Sequence, residues 1–200
     1  MGESRSGFQG LNKYLYLCMK IRWRIRFLFW WYLNFRYNIK NEELFEIKKT
    51  GNGIKKLLFF LPLGKSDAQL ASYFTKIPVK ENNIIRNYFI HEKSLAYYSN
   101  EILEDSIIYN DDDLNWLGIL KTTSIINQIN KKNYDALVDL NSGEERLISL
   151  ICLKLIVPIK IGFQSSLADN LYTLIVQATE KSFIEKHYKM IENLLSLNQE

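Results

Sequence analysis

The sequence predicts an α/β protein, a doubly wound and mostly parallel Rossmann-like sheet with helices on both faces, plus an N-terminal basic aromatic helix. Three observations carry this. Tyr134–Phe163 spells a strand, a helix and a second strand without interruption. From Ile54 onward, short apolar runs alternate with amphipathic segments of helical length, the pattern of βα units. A return to the same sheet through a helix requires a parallel crossover. With 200 residues, 47% of them apolar, the chain has material for one packed domain and an appendage.

Taken in order, residues 1–53 form an N-terminal basic aromatic segment and connector, and 54–200 a single domain. Gly51-Asn52-Gly53 supplies the turn between them. Lys55–Leu61 reads as a buried strand stopped by Pro62 and Gly64. Ser66–Lys76 reads as a helix, with Ser66 and Gln69 at capping-box spacing and Leu70, Tyr73 and Phe74 on one side. Ile84–His91 is a second strand, Lys93–Ser99 a short helix, and Ser106–Tyr109 a third strand that runs into the acidic loop Asp111-Asp112-Asp113. Trp116 anchors the loop beyond it onto the sheet. Ser124–Asn130 is helical. Ala136–Val138 is too short and apolar for a helix and ends at Asp139, where the chain leaves the sheet.

Asn141-Ser142-Gly143 is turn chemistry, and Ser142 or Asn141 is placed to accept backbone N–H bonds at the next helix start. Glu144 and Glu145 favour the positive end of that helix dipole, and Leu147, Ile148, Ile151, Leu155 and Ile156 form its apolar series. Pro158 closes it, Ile159–Gly162 is a strand, and Leu171–Val176 adds a final one. Phe183–Leu197 is a terminal helix with Ile184, Tyr188, Ile191 and Leu195 as its stripe, and His187 on an exposed stretch.

Charge is distributed unevenly. Residues 1–40 hold eight Lys or Arg against Glu3 alone, so the total of +4 leaves −3 for residues 41–200. The segment Lys13–Lys40 mixes Arg22, Trp23, Arg24, Arg26, Trp30 and Trp31 in a way that suits an anionic lipid interface. Its uninterrupted apolar core, Phe27–Leu33, is too short to span a bilayer, which takes about 20 residues, and it lacks a signal-peptide cleavage site. A helix packed on the domain with its arginines reaching solvent fits the same residues. Nucleic-acid binding fits less well, because the acidic body gives no continuous groove for phosphates. Cys18 and Cys152 stand in apolar surroundings without a cysteine or histidine neighbour in sequence, which excludes a disulfide framework or zinc site and fits a reducing compartment.

Three stretches carry a family resemblance. They are LLFFLPLGKSDAQLASYF at 57–74, YDALVDLNS at 134–142 and VPIKIGF at 157–163. Together they resemble the N-terminal, acceptor-side domain of glycosyltransferase family 9, the lipopolysaccharide heptosyltransferase group, over roughly residues 54–178. The resemblance implies a metal-independent glycosyltransferase-like half-domain of the bacterial cell envelope, cytoplasmic and peripheral on the inner face of the membrane. Asp67 answers to the family's candidate base that removes the acceptor hydroxyl proton. Gly64, Ser66, His91, Asp139, Asn141 and Ser142 become candidate substrate-binding residues.

The chain departs from the family in two places. Lys65 and Ser66 intervene between Gly64 and Asp67, and Gly143-Glu144-Glu145 stands where the family has a basic residue, with Arg146 as the nearest substitute. The donor-binding second domain, typically about 150 residues, has no counterpart. The implied function is therefore a retained scaffold that is non-catalytic or dependent on a protein partner or homodimer. An active transferase with a donor site from another chain and a saccharide acceptor is the alternative, and a nucleotide-binding or signalling domain a third. No cofactor, metal or nucleic acid is expected. His91 has no acidic or nucleophilic partner at a recognisable spacing, consecutive aspartates at 111–113 cannot all converge on one ion, and neither a phosphate loop nor a Gly-x-Ser-x-Gly elbow is present.

Overall fold

The computed structural model describes residues 54–75, 84–177 and 184–195. Six parallel strands form one sheet in the order β3-β2-β1-β4-β5-β6. The strands are β1 Lys56–Phe60, β2 Ile85–His91, β3 Ser106–Tyr109, β4 Ala136–Asp139, β5 Ile159–Phe163 and β6 Leu174–Val176. This is the Rossmann strand order, and its direction of winding reverses between β1 and β4. The connecting helices are α1 Lys65–Thr75, α2 Asn100–Glu104, α3 Ser124–Lys131, α4 Arg146–Lys154, α5 Ala168–Leu171 and α6 Ile184–Leu194, with a 3-10 helix at Glu92–Tyr97.

Alternation along the strands divides the core between two faces. Leu57, Phe59, Tyr88, Ile90, Ala136, Val138, Ile159 and Ile161 share one face with Ala68, Ala71 and Phe74 of α1 and with Tyr188, Ile191 and Leu195 of α6. Phe59 stacks on Tyr88 at 5.6 Å between ring centres and meets the edge of Phe74. On the opposite face Phe60 meets Phe89, which stacks on Tyr109 at 4.5 Å. Such ring pairs add about 0.5–1.5 kcal/mol beyond their burial. At the amino ends of the central strands, the Asp135 carboxylate accepts the amides of Lys55 and Lys56, each at 2.8 Å. Tyr134 donates its hydroxyl to Asn87 at 3.0 Å, so the Tyr-Asp pair preceding β4 holds neighbouring strands in register.

Several expectations from the sequence are corrected. Tyr73 is exposed on α1, whereas Phe74 and Leu70 pack as expected, joined by Ala68 and Ala71, small enough to let the helix approach the sheet. Ile156 is 85% exposed, because α4 ends at Lys154 and the chain is extended beyond it. Neither Asn141 nor Ser142 caps α4; its N-cap is Glu145, with no side-chain bond. His187 is buried rather than exposed, with its ring edge on Phe163 at 6.1 Å. Helices α2 and α5 are short additions that periodicity does not register. The N-terminal basic aromatic segment, with Arg22, Trp23, Arg24, Arg26, Trp30 and Trp31, and the Gly51–Gly53 turn lie outside the described residues.

Candidate functional site

The carboxyl ends of β1 and β4 flank the place where strand order reverses, which is where sheets of this topology bind ligands. Leu61–Gly64 leads from β1 into α1, and Leu140–Glu145 leads from β4 into α4. Gly64 and Ser66 are exposed there, and Asp67 stands half-buried in the first turn of α1. The Ser142 hydroxyl crosses from the β4 side and donates a hydrogen bond to the Asp67 carboxylate. Below this link, two tyrosines tie off the backbone. Tyr98 donates its hydroxyl to the Pro62 carbonyl at 3.1 Å, and Tyr188 donates to the Leu140 carbonyl at 2.9 Å. Burial, reinforced by the charge of Asp67, raises both phenols above their ordinary range, so they stay protonated as donors.

Asp139 ends β4 on the other face of the sheet and is 3% exposed. Its Oδ1 accepts the Asn141 amide at 3.0 Å and the Asn141 side-chain Nδ2 at 2.6 Å, and its Oδ2 accepts the Tyr172 hydroxyl at 2.5 Å. Burial pushes its pKa up to about 6, against the hydrogen bonds from Tyr172 and Asn141, which lower it; the nearby charge of Glu145 adds to the rise. Tyr172 is pushed up in turn, first by burial and then by Asp139. Gly162 makes this contact possible: a Cβ there would lie 2.4 Å from the Tyr172 ring. Asn141, Ser142, Ser149, Gln164, Ser165 and Tyr172 line a pocket beside the cluster. Its volume is about 10 Å³, the size that holds one water molecule. The rim is closed by Ser166, which donates to Glu144 at 2.6 Å.

His91 ends β2 and turns away from both groups. Its Nδ1 accepts the Lys93 amide at 3.1 Å, which leaves the proton on Nε2 to be shared with Asp111 Oδ1 at 3.2 Å. Lys93 pairs with the other oxygen of Asp111 and, together with His91, holds that carboxyl below the usual range. The three aspartates diverge. Asp113 closes a capping box with Asn110, and among the described residues no three metal-ligating side chains gather.

The structure therefore brings Asp67 together with Ser142, and Asp139 together with Asn141, while His91 joins neither. Tyr98, Tyr172 and Tyr188 stand in no recognisable motif, and Gly162, although part of the VPIKIGF stretch, gives no sign there of its contact with Tyr172; each acts on a partner at least ten positions away. Trp116 is also corrected. Rather than anchoring its loop to the sheet it is 74% exposed, because the loop is held by its own bonds: Asn115 Oδ1 accepts the amides of Leu117 and Ile119, and Leu114 pairs with Leu120. Among the described residues no helix is long and apolar enough to cross a membrane.

Residues 32–195 match the model of a family of unknown function, DUF6913. The chain belongs to that family. No curated protein and no solved structure matches it.

Proposed function

We propose that this member of DUF6913 is a glycosyltransferase-family-9-like scaffold, non-catalytic on its own, that serves cell-envelope saccharide metabolism from the inner face of the membrane. The observation that carries the reading is the Ser142 hydroxyl on the Asp67 carboxylate. A general base in an acceptor domain must offer a lone pair to the hydroxyl of the acceptor, and here a hydroxyl of the chain already holds one of the two Asp67 oxygens. The loops after β1 and β4 are joined to each other instead of standing apart around a substrate. The basic aromatic composition of residues 13–40 supports attachment to anionic lipid.

The test is thermal unfolding with a panel of nucleotide-sugars. A donor present at a hundred times its Kd adds about 2.7 kcal/mol, a rise of several degrees. We expect no rise with any donor, and a reproducible one would overturn the non-catalytic assignment in favour of an active transferase. The membrane part is checked by flotation with anionic liposomes, where the full chain should float and a chain lacking residues 1–40 should not.

A further inference from the structure

The outer edge of the sheet carries a second, independent feature. Among the described residues strand β3 is outermost, and Tyr88 of β2 donates its amide to the Asp105 carbonyl at 3.2 Å. With Tyr88 opposite Ser106 and Ile90 opposite Ile108, this bond sets the phase of the parallel ladder. Ile107 and Tyr109 bond inward to β2, while the N–H and C=O groups of Ser106 and Ile108 point away from the sheet. The four residues Ser-Ile-Ile-Tyr contain neither the lysine nor the proline that ordinarily guards an edge. Ile108 is 46% exposed. The open stretch is bounded at its far end, where the Asn110 amide is taken by Asp113 at 2.9 Å.

Charge selects the occupant. Glu104 and Asp105 are exposed just before the strand, and Asp111 and Asp112 just after it. Among the described residues Lys93 and His91 pair with Asp111 and the Lys121 ammonium donates to the Asp112 carbonyl at 2.7 Å, while no ion pair engages Glu104 or Asp105. A second copy of β3 docked about a two-fold axis would run antiparallel, setting Glu104 and Asp105 of each copy against the acidic turn of the other. Like charges at both ends oppose that pairing. An extended segment with cationic side chains meets the same carboxylates favourably while its backbone completes the ladder. We infer that the β3 edge, centred on Ser106 and Ile108, is a docking site for an extended cationic peptide that adds a seventh strand.

The experiment titrates a short labelled peptide alternating arginine and valine into the isotopically labelled full chain, with a glutamate–valine peptide as control. Saturable binding of the cationic peptide alone, weakened by salt and shifting the amides of 106–109, is the expected result. Ile108→Pro removes the outward donor and leaves the bonds to β2 in place. Ile108→Lys repels the peptide and keeps the proline-free backbone. Each variant should weaken binding roughly tenfold or more. Absence of saturable binding, or equal binding by both variants, overturns the inference. So does a peptide-independent dimer that Ile108→Lys dissolves, since the occupant is then a second copy.

Discussion

Replacing Asp139 by Asn isolates the energetic consequence of a buried carboxyl with no cation among its hydrogen-bond partners. The carboxyl moves from 3.8 when solvated to about 6 in the fold. A rise of that size corresponds to about 3 kcal/mol, since one unit is about 1.36 kcal/mol. The folded state binds the proton more tightly than the unfolded chain. Stability from this group is therefore fully present below about pH 4, declines between about 4 and 6, and is lost above about 6. The side chains that face the carboxyl are Tyr172 from the segment after α5, Asn141 and Glu145 from the loop before α4, and Cys152 from α4. More distant charge coupling reaches Tyr109 and Tyr188. None supplies a positive charge.

An asparagine of the same shape keeps its carbonyl oxygen on the two Asn141 donors and turns its amide toward the Tyr172 oxygen. The tyrosine hydroxyl then loses its acceptor, at a cost of about 1 kcal/mol. At pH 7.5 the variant should gain about 2 kcal/mol, and at pH 4 it should be the less stable protein by about 0.5 kcal/mol. Urea unfolding of both proteins from pH 4 to 8 measures this, because every other titrating group cancels in the difference. A difference that stays flat across this range would mean that Asp139 ionises as it does in water, and would refute the account of its burial.

Other consequences follow from the same contacts. Gly162→Ala drives a methyl group into the Tyr172 ring, and should cost about 1–3 kcal/mol in chemical unfolding while making the pH dependence due to Asp139 shallower. Tyr188→Phe leaves the Leu140 carbonyl without its donor, a loss of about 1–3 kcal/mol; Tyr98→Phe does the same at Pro62, and because the two phenols lie in each other's field the double variant should depart from the sum of the single losses. Ser142→Ala breaks a link between partly exposed groups, so stability should change by under about 1 kcal/mol, and faster amide exchange in 62–67 would register the parted loops. Phe59→Ala, in the centre of the sheet, should cost about 3–5 kcal/mol and serves as the reference for a severe core defect.

How much was legible depended on the range of the interaction. Strand and helix positions came through well: Ser106–Tyr109 and the Ala136–Asp139 strand are where the apolar runs place them, since each element buries its own periodic face. Exposure was read less well. Ile156 and Trp116 are large apolar residues that composition assigns to the interior, yet the first lies beyond the end of its helix and the second on a loop fastened by Asn115. The candidate site was legible in membership more than in arrangement. Asp67, Asp139, Asn141 and Ser142 do gather at the carboxyl ends of β1 and β4, because residues that end strands of a parallel sheet end up at the same edge.

The sequence by itself determined the order of elements, the parallel sheet they imply, and the stretches from Leu57 to Phe74 and Tyr134 to Phe163 as its central units. Only the tertiary structure decided that Ser142 reaches Asp67 across the reversal of strand order, and that Tyr172 lies over Gly162 to meet Asp139. The physical reason is that periodicity encodes which face of an element avoids water. Which loops meet is set instead by the order of strands in the sheet, and hydrogen bonds between residues 33 or 75 positions apart leave no periodic trace.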